Sequence, residues 1–154
     1  MMADGILTGD FPAIEFENRL AKAHAAMQAA GIDALFLTSE AEMRYFTGFR
    51  TLFWQSPTRP WFLVIAQGQK PIAIIPEIGA ALMQETWVDD IRSWSSPHAT
   101  DDGISLLTDA FKPFQKIGML MGRESAFRMP LRDFSKIKDN LAGVEFIDAT
   151  PLMQ

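Results

Sequence analysis

The sequence predicts an α/β domain built on a mixed β-sheet. Short apolar runs with the length of buried strands alternate along the chain with segments of helical periodicity, which is typical of this class. Two of the runs, WFLVIA and PIAIIP, are separated by the polar, glycine-containing loop QGQK, and this spacing predicts an antiparallel hairpin. At 154 residues, with 48% hydrophobic and 21% charged residues, the chain has the size and composition of one globular domain.

The first part of the chain predicts the order helix, strand, helix. Residues 15–30 carry apolar side chains at helical spacing, and Gly31 follows as a stop signal. The next run, IDALFLT, has the length and composition of a buried strand. SEAEMRYF then predicts a second helix, with Ser39 as its cap and acidic residues in its first turn.

The second part continues the alternation after the hairpin. The predicted elements are the helix PEIGAALMQET with Pro76 near its start, the strand IRSWS, the helix ISLLTDAFKPF, the strand KIGMLMG, the helix MPLRDFSKIKDNL and the strand GVEFIDA. Together they predict three layers, a mixed sheet flanked by helices. We expect residues 1–14 to form a flexible N-terminal arm and residues 15–154 a single domain. Because the chain ends directly after a predicted strand, we expect it to be the first part of a longer protein.

Composition and charge argue against several classes of partner. The net charge is −5 with a pI near 5.0, and the 14 basic residues form no run, so nucleic-acid binding is not expected. The chain has no cysteine, which fits a reducing compartment such as the cytoplasm. Its N-terminus lacks the features of a signal peptide, and no window approaches the roughly 18 apolar residues of a membrane span. We therefore expect a cytoplasmic protein with no nucleic-acid or membrane partner.

The sequence offers few residues for catalysis. His24 lies in the middle of a predicted helix with no second ligand at i+4, which favours a packed or solvent-facing side chain. His98 has Asp101 and Asp102 nearby and could hold a weak cation, but the pattern is more typical of a solvated turn. The adjacent aspartates, including those at 89–90, predict charged surface because neighbouring side chains diverge in regular structure. There is no G-x-S-x-G, G-x-G-x-x-G or P-loop motif.

The stretch YFTGFRTLFWQSPTRPWFLV, residues 45–64, is unusual because an irregular, proline-broken centre separates two aromatic-rich flanks. We expect Tyr45, Phe46 and Phe49 to pack the second helix onto the sheet. For the centre of the stretch two readings stay open. Large aromatics and arginines on a loop are typical of a binding surface, but they also serve packing.

The order of these motifs resembles the N-terminal domain of the creatinase, prolidase and aminopeptidase P family. The resemblance covers the chain from about residue 16 and is strongest in GIDALFLTSEAEMRYFTGF, where the family carries a strand followed by an N-x-x-Y-x-T-G pattern. Tyr45, Thr47 and Gly48 match this pattern, and Phe49 completes the motif, for which a structural role is expected. Glu42 stands where the family often has asparagine.

The resemblance implies a ribonuclease-H-like fold and a two-domain protein of which this chain is the non-catalytic first half. In the family a second, pita-bread domain supplies two aspartates, a histidine and two glutamates that bind two divalent metal ions (Mn, Co or Zn) in the peptidases, whereas creatinase works without metal. No catalytic or metal-binding residue is therefore expected in this chain. The implied partners are the chain's own catalytic domain, a second copy in a homodimer, and a small peptide or zwitterionic amide substrate.

The resemblance also implies a role for the irregular centre of the stretch. In several family members the segment after the Tyr-x-Thr-Gly motif reaches the active site of a neighbouring subunit. Arg50 or Arg59 would then meet a substrate carboxylate, and Trp54 would form an apolar wall. The expected function is that of an N-terminal domain that shapes the active-site entrance of a Xaa-Pro peptidase or creatinase-like hydrolase and mediates oligomerisation. The alternative is a free-standing module for small-molecule or peptide binding or for dimerisation.

Overall fold

The computed structural model describes residues 7–8, 11–49, 61–95, 101, 103–122 and 127–153. In these ranges the strands are β1 Leu7–Thr8, β2 Phe11–Pro12, β3 Ala34–Leu37, β4 Phe62–Ala66, β5 Ile72–Pro76, β6 Asp90–Trp94, β7 Lys116–Met119 and β8 Glu145–Asp148. The helices are α1 Ala13–Ala30, α2 Glu40–Thr47, α3 Ala80–Met83, α4 Ile104–Phe111 and α5 Leu131–Asn140. Short 3₁₀ turns cover Glu77–Gly79 and Thr150–Met153. No helix in these ranges has the length and apolar character that crossing a membrane requires.

The main sheet has six strands in the order β6-β5-β4-β3-β7-β8, while β1 and β2 form a separate antiparallel pair. β4 pairs antiparallel with β3 and with β5, and the remaining neighbours pair in parallel. The predicted mixed sheet and its central hairpin are confirmed. Because β4 alone runs opposite to the other five strands, its first residue shares one edge with their last residues. We call this edge the carboxyl edge; it is formed by Leu37, Phe62, Pro76, Trp94, Met119 and Asp148.

Helices cover both faces of the sheet, as the three-layer prediction requires. Neighbouring strand residues point to opposite faces, so Leu35 and Leu37 pack with α1, α2 and α3 in one core. Phe36 and Ala34 pack with α4 and α5 in the other. Burial on both faces explains why β3, β4 and β5 read as continuous apolar runs.

The starts of α1 and α2 differ in detail from the sequence predictions. α1 begins at Ala13, two residues before the predicted domain start, and it ends at Ala30, followed by Gly31 with φ of 73° at the predicted stop. β1 and β2 lie in the segment predicted to be a flexible arm, whose mobility stays a prediction. Ser39 takes the N-cap position of α2, but its hydroxyl donates to the Glu42 carboxylate and makes no hydrogen bond to a helix N–H. The predicted cap position is therefore confirmed, but Ser39 makes no capping hydrogen bond with its side chain.

The helix predicted from Pro76 onward is shorter than expected. A 3₁₀ turn precedes a single α-helical turn, which ends at Met83. The Thr86 hydroxyl donates to the Met83 carbonyl oxygen at 2.7 Å, and the Thr86 N–H donates to the same oxygen at 2.9 Å. A side chain that bonds to the backbone in this way competes with continuation of the helix.

Candidate functional site at the carboxyl edge of the sheet

β4 begins at the carboxyl edge with Phe62, and Trp61 is the described residue just before it. In α/β sheets, ligands bind outside the carboxyl ends of the strands, so this edge is the first place to look for a site. The predicted contact residues Arg50, Trp54 and Arg59 lie outside the described residues, and their role stays a prediction.

Both ends of this segment are fixed in the core. Phe49 is 1% exposed and Trp61 is fully buried. Their ring centroids lie 5.4 Å apart, with an angle of 39° between the planes. Aromatic pairs at this separation attract each other beyond their burial. The points where the chain enters and leaves residues 50–60 are therefore held together at the carboxyl edge.

The Tyr-x-Thr-Gly motif ends α2 and turns the chain toward Phe49. The buried Thr47 hydroxyl donates to the Met43 carbonyl oxygen at 2.6 Å and accepts from the Phe49 N–H at 2.9 Å. Gly48 has φ of 79°, and its N–H donates to the Arg44 carbonyl oxygen at 2.8 Å. This left-handed conformation favours glycine. Both motif residues thus have a defined local function at the end of α2.

Replacing Thr47 with valine is expected to destabilise the fold by about 1–3 kcal/mol, because the buried Phe49 N–H loses its acceptor. Thr47→Ser keeps the hydroxyl and is the matched control. Urea unfolding of the two variants measures the difference. Equal stability of the valine and serine variants would show that the hydroxyl is not needed.

Tyr45 lies on the outside of α2, contrary to the prediction that it packs onto the sheet. Its side chain is 42% exposed. Met43, Phe46 and Thr47 form the buried stripe of this helix at i, i+3 and i+4, which leaves Tyr45 outside it. The Tyr45 ring instead lies against the Arg19 guanidinium, whose Cζ is 4.5 Å from the ring centroid. Phe46 and Phe49, in contrast, are buried in the core.

A group of hydrogen bonds to Asp148, which was not predicted from the sequence, connects the ends of β7 and β8. Asp148 Oδ1 accepts from the Thr150 hydroxyl at 2.6 Å, the Thr150 N–H at 2.9 Å and the Met121 N–H at 3.2 Å. These hydrogen bonds, above all those from Thr150, lower the pKa of Asp148 below its usual value. The local signal was Asp-x-Thr directly after a strand, because aspartate often binds the backbone two residues on.

The histidines and nearby acids form no metal site in the part of the chain that the structure describes. No group of three or more His, Cys, Asp or Glu side chains there could hold a metal ion, so these residues do not fit one. His98 and Asp102 lie outside the described residues. Asp101 accepts from the Ser105 N–H at 2.8 Å and from its hydroxyl at 2.6 Å, at the start of α4. Asp101 therefore supports a helix end.

His24 is partly buried on α1, and its Nε2 is buried without a hydrogen-bond partner among the described residues. Burial lowers the pKa of His24 below its usual value of about 6.5, although a backbone hydrogen bond at Ala66 acts in the opposite direction. The unfolded chain therefore binds a proton at a higher pH than the folded chain does. The folded state is disfavoured as the pH falls below the unfolded value.

The wild type is expected to lose folding stability as the pH falls from neutral to just below the pKa of histidine in the unfolded chain. His24→Gln removes this titrating group, so the variant is expected to lose less stability over the same pH range. The free energy of unfolding of both proteins, measured in urea across this window, tests it. An unchanged slope in His24→Gln would contradict the assigned direction.

The adjacent aspartates at the start of β6, Asp89 and Asp90, form surface ion pairs. Asp89 Oδ2 lies 2.9 Å from Lys70 Nζ, and Asp90 accepts two hydrogen bonds of 3.0 Å from Arg92. Exposed pairs of this kind contribute little to stability. These two acids pair with different cations and do not act on a common atom.

Comparison with known proteins decides the family. The model of the Creatinase/Prolidase N-terminal domain matches residues 19–154. The chain belongs to this family. No curated protein matches the sequence.

Solved structures share the fold of this creatinase/prolidase N-terminal domain. Dipeptidase PepE from Mycobacterium ulcerans is 24% identical with a TM-score of 0.69; the match covers 94% of the present chain and 37% of PepE. A prolidase from Thermococcus sibiricus is 19% identical with a TM-score of 0.71, covering 90% of this chain and 35% of the prolidase. The N-terminal domain of an X-Pro dipeptidase from Streptococcus pyogenes is 14% identical with a TM-score of 0.69, covering 89% of this chain and 97% of that domain. At these identities the likeness concerns the fold, and the chain spans little more than a third of PepE.

Proposed function

We propose that this chain is the non-catalytic N-terminal domain of a Xaa-Pro peptidase or creatinase-like hydrolase. In this role it shapes the entrance to the active site and mediates assembly of a homodimer. The observation that carries the proposal is the family match over residues 19–154, combined with relatives such as PepE in which the match fills only 37% of the chain. The remainder of such a protein is where the catalytic groups and two divalent metal ions (Mn, Co or Zn) would reside.

The gating role rests on the position of Phe49 and Trp61, the described residues that flank residues 50–60. The buried Phe49–Trp61 pair holds both ends of this segment at the carboxyl edge. Arginine presents a planar pair of donors that suits a carboxylate, so Arg50 or Arg59 would bind the carboxylate of a small peptide or zwitterionic amide. Trp54 would exclude water from the bound substrate.

The gating role can be tested in the full-length protein by replacing Arg50 and Arg59 singly with alanine. Loss of a charge-assisted hydrogen bond is expected to raise KM for a Xaa-Pro dipeptide about 10-fold or more in at least one variant, with a smaller effect on kcat. Arg132→Ala is the matched control, because Arg132 is exposed on α5. Unchanged KM in both variants would rule out a substrate contact by these arginines.

A free-standing binding or dimerisation module is the second candidate. Its support is the Streptococcus pyogenes structure, in which the N-terminal domain of an X-Pro dipeptidase, nearly of this extent, was solved without the rest of that protein. Calorimetry on residues 1–154 with proline dipeptides and creatine tests autonomous binding; absence of heat at millimolar ligand would count against it. Sedimentation of the wild type and Trp54→Ala tests dimerisation, because an unchanged association state would exclude Trp54 from the interface.

A further inference from the structure

A groove lies between α1, α2 and the 3₁₀ turn Thr150–Met153, away from residues 50–60 in sequence. Its volume is about 500 Å³, within the range of small-molecule sites. Among its lining residues are Arg19, Lys22, Ala23, Glu42, Tyr45 and Leu152. We call it the α1–α2 groove. Its residues have no role in the function proposed above.

Arg19 brings a fixed positive charge to the wall of this groove. Its Nη1 donates to the Tyr45 carbonyl oxygen at 2.7 Å, and its Nε lies 3.5 Å from Glu15 Oε1. The guanidinium also lies over two rings, 5.1 Å from the centroid of Phe16 and 4.5 Å from that of Tyr45. These contacts hold the guanidinium in one place, so little side-chain conformational entropy would be lost when a ligand binds.

Lys22 adds a second positive charge one helical turn further along α1. It is exposed and makes no ion pair within the described ranges of the chain. The acid in the lining, Glu42, already accepts a hydrogen bond from the Ser39 hydroxyl. The lining holds two cations and one carboxylate, and Glu15, which lies outside the lining, already pairs with Arg19. Lys22 is therefore the cation that attracts an anion here.

The rest of the lining is apolar and aromatic. The Tyr45 ring is partly exposed and packs edge-on against Phe46, with centroids 5.0 Å apart and an interplanar angle of 88°. Ala23 and Leu152 add aliphatic surface. A flat ring can stack on tyrosine, and apolar surface gains from being covered. The groove thus combines a cationic end with an aromatic surface.

We propose that the α1–α2 groove binds small aromatic monocarboxylates. The carboxylate pairs with Lys22, and the ring of the ligand covers the exposed part of Tyr45. The site lies entirely on described residues and does not depend on a second domain.

Tyr45 is the only tyrosine in the chain, so its labelled ring reports binding without ambiguity. The protein is prepared with ¹³C-labelled tyrosine and titrated with phenylacetate, with its neutral isostere phenylacetamide and with acetate. Phenylacetate is expected to shift the Tyr45 ring signal saturably. Phenylacetamide should bind about 10-fold more weakly or not at all, since it lacks the charge. Acetate should bind more weakly because it lacks the ring.

Lys22→Gln is expected to weaken phenylacetate binding about fivefold, the upper range for an exposed pair. Lys136→Gln, which removes an exposed helical lysine outside the groove, should leave affinity unchanged. The proposal is overturned if phenylacetate does not shift the Tyr45 signal, if acid and amide bind equally, or if Lys22→Gln and Lys136→Gln behave alike. The folded signal dispersion of each variant confirms that the comparison is made on folded protein.

Discussion

Replacing Gly79 with alanine is expected to lower the free energy of unfolding by about 3 kcal/mol, the upper range for overpacking a core. The backbone at Gly79, with φ of −99° and ψ of −5°, suits alanine, so the effect is one of space. A Cβ atom there would lie 2.1 Å from Trp61 Cζ3 and 2.4 Å from Cη2. The indole has little room to move, because Trp61 is buried and packed on Phe49.

Urea unfolding of Gly79→Ala against Gly143→Ala measures this effect. Gly143 has no atom within 4 Å of an added Cβ and no positive φ. Gly143→Ala therefore measures the effect of exchanging glycine for alanine without a steric clash. Adding Trp61→Phe to Gly79→Ala is expected to restore part of the loss, because the smaller ring vacates the space. Similar stabilities of the two single variants would contradict the close approach of Gly79 to Trp61.

Phe36→Ala is expected to destabilise the fold by about 3–5 kcal/mol, the range for truncating a buried phenylalanine. Phe36 lies on β3 at the centre of the second core. Its ring centroid is 5.7 Å from that of Phe62, 5.1 Å from that of Phe111 and 5.8 Å from that of Phe127. Removing the Phe36 ring leaves a cavity bordered by the three neighbouring rings. The rigid sheet cannot close this cavity.

Phe36→Leu is the matched control for this truncation. Leucine keeps most of the volume, so its cost is expected to stay below about 1.5 kcal/mol. Thermal or urea unfolding of both variants measures the difference. A Phe36→Ala protein as stable as Phe36→Leu would show that the ring cluster is not packed as the structure describes.

The type of most elements could be predicted from sequence, because each had a strong local signal. β4 and β5 are continuous apolar runs joined by a short polar loop, and the structure pairs them antiparallel as predicted. The order of the strands had no local signal. β7 lies beside β3 in parallel, and the Asp33 carboxylate at the start of β3 accepts from the N–H groups of Gln115 and Lys116, 82 and 83 residues away. Such long-range hydrogen bonds depend on the folded chain.

The candidate site could be predicted only in part, because its motif is local and its surroundings are not. Thr47 and Gly48 were identified from a short pattern, and their geometry follows from the end of one helix. The exposure of Tyr45 depends on which stripe of α2 faces the sheet. The hydrogen bond from the Met121 N–H to Asp148 connects the ends of two strands, and it could not be inferred from either strand alone.

The central proposal is that this domain is non-catalytic and that the catalytic site of the protein lies outside it. The most direct measurement compares hydrolysis of a Xaa-Pro dipeptide by the full-length protein and by residues 1–154, at equal concentration and with Mn²⁺ present. The account predicts turnover by the full-length protein and none above the blank by residues 1–154. Hydrolysis by residues 1–154 alone, at a rate matching that of the full-length protein, would contradict the claim.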